Sequence, residues 1–375
     1  MNKKTIVLVA IALAVASAGL ARESTEIMGA RYLGMGGCFV AASHDRSLLF
    51  ANPAALDRAD EMMFTVMGLA STVNTKTPEV IGFLLDNRKD FEDLGDMNEE
   101  DQNAFFDKII EEIDFKRMNV MLSTIPFGMI RKPFGGALFT DTRASAMAFN
   151  GAGATPLVDF AATQDVGGVV GYGYGWTGLT SFLPNRLSVG GGLKYIQRYA
   201  YSARETVTEM NDGDTVELMH GNTFGLDIGL LYDVNPNLCF GAAVYDVFAS
   251  EIEWEGDPST FSRIQPGDTQ KVEPALRIGL TYNLPWRAGF MASPVMVACD
   301  LAEPFDGDLT FFKKVHVGAE TSFFKDWFQA RLGVSQGYPT FGLSIWLFTY
   351  AYYTEESGRH AGQMGDSRHM LSFEL

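Results

Sequence analysis

The chain is poor in cysteine, in histidine, in basic residues and in long apolar runs, and each shortage closes off a class of function. Cys38, Cys239 and Cys299 are odd in number and far apart. They make neither a disulfide framework nor a metal-ligand spacing. The five histidines (His44, His220, His316, His360 and His369) show no H-E-x-x-H or related ligand pattern, so no metal and no cofactor is expected. Lys and Arg total 29 against 46 Asp and Glu, a formal charge of −17, and nucleic acid is excluded as a partner. No stretch reaches the roughly 20 apolar residues of a membrane-spanning helix. Ser43-His44-Asp45 and Ser47 contain nucleophile and base types, but a catalytic triad is defined by geometry that sequence neighbours rarely reach. The glycine runs at 171–175 and 190–192 lie within strand patterns, with no helix after them to hold a phosphate. The chain is therefore not expected to be an enzyme.

What is present begins with an export signal. Lys3 and Lys4 precede an apolar run at 6–15, and Ala16-Ser17-Ala18 or Gly19-Leu20-Ala21 closes it with small residues. Residues 1–21 read as a signal peptide; without Lys3 and Lys4 the charge moves from −17 to −19. No cysteine lies at the cleavage site to carry a lipid.

From about residue 116 to the last residue, strands recur that are apolar on one face and polar or glycine on the other. The clearest alternates Leu276, Ile278, Leu280, Tyr282 and Leu284 with Arg277, Gly279, Thr281 and Asn283. Almost nothing in the chain is left over to cover the apolar faces. Lipid is the alternative cover, and a closed barrel is the sheet that can stand in lipid without an unpaired edge. Strands are expected near 61–72, 116–126, 134–149, 155–163, 166–180, 186–205, 214–233, 237–250, 271–284, 292–303, 312–324, 327–336, 339–353 and 364–375. The fold class is thus an all-β transmembrane, antiparallel barrel of about 14 strands, occupying 61–375 in an outer membrane. On this count several longer connections share the rim of the C-terminus, against the usual rule that the termini and the short turns lie together.

The outward set includes Phe224, Leu226, Ile228, Leu230, Val317, Leu332, Val334, Phe341, Leu343, Ile345 and Leu371. The inward set is Lys194, Asp227, Arg277, Asn283, His316, Glu320, Gln329, Arg331 and Ser344, with many of the 39 glycines. A two-residue turn at Lys325-Asp326 makes ladder partners sum to 651. Glu320 then faces Arg331 across the ladder, as a lumenal ion pair that pins register. Trp176, Trp254, Trp286, Trp327, Tyr350, Tyr352 and Tyr353 fall near strand ends and read as an aromatic girdle.

Two segments stand apart. Residues 22–60 lack long alternation and are turned by Gly34, Gly36 and Gly37. Residues 77–114 read as a helical insertion. Thr77-Pro78 and Asn98 are helix starts, and Phe105, Phe106, Ile109, Ile110 and Ile113 recur at helical spacing. The insertion is acidic, with twelve acids and three bases over 86–114.

The run Ala30-Arg31-Tyr32-Leu33-Gly34-Met35-Gly36-Gly37, followed by Leu49-Phe50-Ala51-Asn52-Pro53-Ala54-Ala55-Leu56, resembles the N-terminus of FadL-type outer-membrane proteins. It is closer still to the PorV-type branch, as are Asn237–Gly241, Arg277–Leu280 and the end from Gly358 to Leu375. The resemblance implies fourteen strands with an N-terminal lumenal hatch over 22–60, and Asn52, Pro53 and Ala54 match the hatch motif. It implies passage of hydrophobic small molecules such as long-chain fatty acids, gated by the hatch. The PorV-type alternative is a structural or protein-secretion partner barrel without solute transport. The partners implied are outer-membrane lipid, a hydrophobic ligand, and a periplasmic or secretion-system protein.

Overall fold

The computed structural model describes residues 29–375 except 114–115, 151–154, 180–183, 209–217, 258–261, 286–288, 290, 325–326 and 359. The signal peptide, the Lys325-Asp326 turn and Trp286 lie outside the described residues.

The strands are β1 (Met63–Thr65), β2 (Gly68–Asn74), β3 (Arg117–Arg131), β4 (Phe134–Asn150), β5 (Pro156–Thr177), β6 (Arg186–Thr206), β7 (Met219–Asn235), β8 (Leu238–Ala249), β9 (Ile252–Glu253), β10 (Thr269–Gln270), β11 (Ala275–Asn283), β12 (Met296–Ala302), β13 (Val315–Phe323), β14 (Phe328–Ser335), β15 (Tyr338–Ile345), β16 (Phe348–Glu356) and β17 (Gly365–Glu374). From β2 through β8 and β11 through β17, each pairs antiparallel with the next, and β17 returns to β2. The ring is closed and has fourteen strands. β1 continues β2 in the same register on β3, Met63 facing Ile130 and Gly68 facing Ile125. At the break between them, the Val66 and Met67 N–H groups donate to the Leu375 carbonyl at 2.8 and 3.4 Å. The last residue is thereby stitched to the first strand.

The expected count of fourteen is reached through two opposite errors. The segments 155–163 and 166–180 are one strand, β5. The polar run Thr163-Gln164-Asp165 reads as a turn, yet Asp165 is an inward residue held by Arg198. Conversely, 339–353 is two strands, β15 and β16. They are joined at Trp346-Leu347, with Trp346 at φ 55°; no Gly, Pro or Asn marks that turn. Correcting both restores the rims. Connections at 132–133, 178–185, 236–237, 284–295, 324–327 and 346–347 share the rim of the C-terminus. Those at 75–116, 151–155, 207–218, 250–274, 303–314, 336–337 and 357–364 share the other. Most short turns lie with the C-terminus, the exceptions being the twelve-residue connection 284–295 on that rim and the two-residue turn 336–337 on the other.

The exterior is apolar. Val170, Leu193, Phe224, Leu332, Ile345 and Leu371 are all more than half exposed. The pleat alternates these with buried Lys194, Arg198, Asp227, His316, Arg331 and Ser344. Trp176 and Trp327 are exposed at the short-turn rim, as the girdle requires. Trp254 and Tyr353 do not belong to it. Trp254 is buried against Ala200, Met219 and Ile252, and Tyr353 faces inward among Ala351 and Met370.

The acidic insertion forms three helices, α3 (Thr77–Asp86), α4 (Arg88–Asp93) and α5 (Glu99–Ile113), after the short plug helices α1 (Ala30–Gly34) and α2 (Leu48–Ala51). Asn74 Oδ1 accepts the Thr77 N–H, and Asn98 Oδ1 accepts the Asp101 N–H, satisfying two helix N-termini. Phe105, Phe106, Ile109 and Ile113 are buried, with Val80 and Phe83, against Met118, Ala144, Ala148 and Phe160. Those wall residues point outward, since Ser145 and Ala161, beside Ala144 and Phe160 along their strands, point in. The helices therefore cover the outside of the wall where β3 to β6 rise above the other strands. An outward polar row at Thr142-Gln164 and Gln197-Asn222, paired across the ladders, separates this covered zone from the apolar band below it.

Candidate functional site: the plug and its seat in the lumen

Residues 29–59 run through the barrel interior, and their apolar side chains form one core with the inner wall. Tyr32, Met35, Phe39, Val40, Leu48, Leu49, Ala54 and Leu56 are each 3 % exposed or less, packed with Phe139, Val169, Leu231, Tyr245 and Ala298. The space left by the inward glycines is the space the plug occupies. A side chain at Gly333 would put its Cβ 2.5 Å from the Gly36 nitrogen, and one at Gly342 would meet the Gly34 Cα at 3.0 Å. Gly190 lies against the Pro53 carbonyl and 2.5 Å from the Ala54 nitrogen by the same measure. Gly36 and Gly37 adopt φ of 71° and 79°, a region that an L side chain rarely enters. The Gly36 carbonyl lies 2.8 Å from His316 Nδ1, and its N–H donates to Thr340 Oγ1 at 2.9 Å.

Polar contacts then fix this segment at four places. At the first, Glu320 faces Arg331 in the β13–β14 register, with Nε to Oε2 at 2.5 Å. The same carboxylate takes both arms of Arg31 from α1, at 2.8 Å each. Arg31 also donates to Asp45 at 3.0 Å, and the Tyr32 hydroxyl donates to Asp45 at 2.9 Å. The wall pair expected from register is thus part of a plug-to-wall clamp. At the second, Asp300 accepts the Phe39 and Val40 N–H groups at 2.8 and 3.1 Å, and Arg277 lies over the Phe39 ring at 4.1 Å. At the third, fully buried Asn52 donates to the carbonyls of Val40, Leu230 and Ala242 at 2.8, 3.2 and 3.4 Å. Its Oδ1 accepts the Ala54 N–H at 3.1 Å, starting the 3₁₀ turn Pro53–Arg58. One amide therefore ties the plug to itself and to two wall strands. At the fourth, Asp57 accepts from Ser188 and Arg186 at 2.8 and 3.0 Å, while Arg58 donates to Asp233 at 2.7 Å. Burial pushes the Asp57 carboxyl up, but the bonds from Ser188 and Arg186 outweigh it and hold the group below its ordinary range.

Every sequence-predicted site residue among 29–58 thus lies in the lumen: Gly34, Gly36 and Gly37 at closest approach, Asn52 at the tie point, Pro53 and Ala54 against Gly190. Arg31, Asp57, Asp300 and Tyr245, whose hydroxyl donates to the Ala51 carbonyl at 2.5 Å, were not singled out from the sequence, and Asp45 was named only within Ser43-His44-Asp45. Arg31 lay inside the quoted motif. Asp300 carried a legible signal too, as an acid on the inward face of an otherwise apolar strand.

Above the plug the lumen is crossed by paired charges: Asp165 with Arg198 at 2.7 and 2.6 Å, and Lys194 with Asp227 and Asp246 at 2.9 and 2.8 Å. At the long-loop rim, Ile252 and Trp254 of the β9–β10 hairpin close over Ala200 and Met219. Two cavities open at the short-turn rim. One, of about 270 Å³, lies between Arg31, Arg46, Trp346 and Glu374; the other, of about 750 Å³, lies beside Asp57.

A family model described as "F plasmid transfer operon, TraF, protein" matches residues 49–293. No curated protein matches the chain. Among solved structures the chain is similar to the Ralstonia pickettii toluene transporter TbuX, at 12 % identity and TM-score 0.46, over 92 % of this chain and 97 % of that one. It is similar also to the P. putida toluene transporter TodX, at 12 % and 0.45, over 92 % and 98 %. A Pseudomonas aeruginosa FadL homologue aligns at 9 % and 0.29, over 95 % and 99 %. At TM-scores below 0.5 these likenesses decide nothing about solute or mechanism; the barrel rests on its own ladders.

Proposed function

We propose that this chain, which belongs to the F plasmid transfer operon TraF protein family, is an outer-membrane barrel that passes small hydrophobic molecules when its N-terminal plug moves. One observation carries the reading. The lumen is filled by a single segment held through ion pairs and side-chain bonds, and among the described residues no plug strand joins the barrel ladder. Such a segment can shift without opening the wall, whose fourteen strands keep every ladder closed. No chemistry is required of it. Long-chain fatty acids and other hydrocarbon-like compounds are the solutes that the resemblance implies, and the short-turn rim is the periplasmic one.

A tether tests this. Cys38 Sγ lies 3.6 Å from the Ala298 carbonyl, and both residues are buried. With Cys239 and Cys299 replaced by Ser, Ala298→Cys should cross-link to Cys38 on oxidation. Uptake of a fluorescent fatty acid into vesicles carrying the barrel should fall when the tether forms and return on reduction. Equal uptake with the tether closed, scored by gel mobility, removes the gating plug.

A second reading is favoured by two observations. The paired charges of Asp165, Arg198, Lys194 and Asp227 cross the lumen above the plug. The acidic helices 77–113 stand outside the wall at the long-loop rim. Both suit a barrel that docks a protein and carries no solute. Removing 77–113 would abolish partner capture on this reading and leave uptake intact on the first.

A further inference from the structure

We infer that the cavity beside Asp57 at the short-turn rim holds the headgroup of a zwitterionic aminophospholipid from the adjacent leaflet. The inference needs the barrel in a bilayer and does not depend on solute passage. It starts from Arg131, the last residue of β3. Its ladder partner Phe134 is 60 % exposed on the outer face, so Arg131 also points outward, at the edge of the lipid-facing band. Among the described residues it makes no hydrogen bond or ion pair. Its basic neighbours differ: Lys132 and Arg186 both reach Asp57, at 3.4 and 2.9 Å. A guanidinium at the membrane boundary without a protein anion is a binding group for phosphate, which it grips through two parallel N–H bonds.

The same cavity is lined by Asp60 and Glu61, both exposed and with no basic partner among the described residues. Two carboxylates and a guanidinium without ion-pair partners, lining one cavity of about 750 Å³, suit a headgroup that carries both a phosphate and an ammonium. They disfavour a headgroup with net negative charge. The lipid-side lining supplies the rest. Tyr172 and Tyr174 are 45 % and 48 % exposed, Tyr174 packs edge-on against Trp176, and Met62 is 48 % exposed. Rings of this kind sit at the level of headgroups, with acyl chains along their apolar bodies. The cavity is therefore continuous with the lipid-facing band and closed behind by the plug residue Asp57.

The test is native mass spectrometry of the intact, delipidated barrel titrated with palmitoyl-oleoyl phosphatidylethanolamine, with phosphatidylglycerol of the same chains, and with inorganic phosphate. The expected result is one saturable phosphatidylethanolamine adduct, bound several-fold more tightly than phosphatidylglycerol. Arg131→Gln should weaken it by about tenfold, the loss of a charge-assisted bond. Asp60→Asn with Glu61→Gln should erase the preference for the amine headgroup while leaving binding of phosphatidylglycerol. Unshifted heat-modifiable gel mobility shows that each variant is folded. Equal binding by Arg131→Gln, equal affinity for the two lipids in the native chain, or saturable uptake of inorganic phosphate without lipid would each overturn the assignment. None of these outcomes bears on whether a tethered plug stops uptake.

Discussion

Replacing Glu320 by Gln should release the plug more effectively than removing either arginine that holds it. Glu320 is the shared anion of two guanidiniums, and its side chain is only 12 % exposed. Arg31 keeps Asp45 when Glu320 is neutralised. Arg331, whose side chain is 1 % exposed, keeps only neutral Ser344 and Gln329. It becomes a buried charge without a counter-ion, a situation that costs about 3–5 kcal/mol. Arg331→Gln leaves Glu320 with the two-armed contact from Arg31, and should cost about 1.5–3 kcal/mol, the worth of hydrogen bonds to a charged group. The double variant E320Q/R331Q removes the stranded charge. It should therefore be more stable than Glu320→Gln alone by roughly 1–3 kcal/mol. The assay is urea unfolding of the barrel in phospholipid vesicles, with protease access to residues 29–59 as the reporter of plug docking. If E320Q/R331Q is less stable than Glu320→Gln, the stranded-charge argument is wrong and the clamp serves only to pin register.

Three further outcomes follow from the same seat. Gly190→Ala drives a Cβ into the Pro53 carbonyl and the Ala54 nitrogen, backbone that cannot rotate away, and should cost about 1–3 kcal/mol or prevent docking; Gly191→Ala, whose nearest neighbour is 3.8 Å away, should be silent in the same protease assay. Asn52→Ala leaves buried carbonyls of Val40, Leu230 and Ala242 short of a donor and uncaps the 3₁₀ turn, so the urea midpoint should fall by the equivalent of about 2–3 kcal/mol. Burial pushes the Asp45 carboxyl up, but Arg31 beside it prevails and holds it below its ordinary range. A group depressed by folding contributes stability above its unfolded pKa, about 4, and loses it as pH falls through the folded value. Protease access to the plug should accordingly rise below about pH 4, and Asp45→Asn should flatten that dependence.

Much of this was legible because a barrel wall imposes a period of two that the sequence must obey. The alternation in β7, β11 and β13–β15 gave both faces, and two-residue arithmetic around 325–326 gave the Glu320–Arg331 register. Strand ends were less legible. Asp165 resembled a turn residue because its partner Arg198 lies one strand away. The Trp346-Leu347 turn carried none of the residues that usually mark one. The motif around Asn52 marked a plug, but its partners are backbone carbonyls of Leu230 and Ala242, and a carbonyl leaves no trace in residue identity.

The sequence by itself determined the wall: its material, its two faces, the acidic helices and the existence of a segment that is not wall. These follow from local chemistry, from side-chain period, helix caps and composition. Only the tertiary structure decided that the inward glycines are filled by the plug, that Arg31 completes the Glu320 clamp, and that the acidic helices lie outside the wall at the long-loop rim. Each of these joins residues more than 30 positions apart in the chain. The reason is closure. Which residues meet across a lumen is set by how many strands lie between them around the ring, and that distance is fixed only when the last strand pairs with the first.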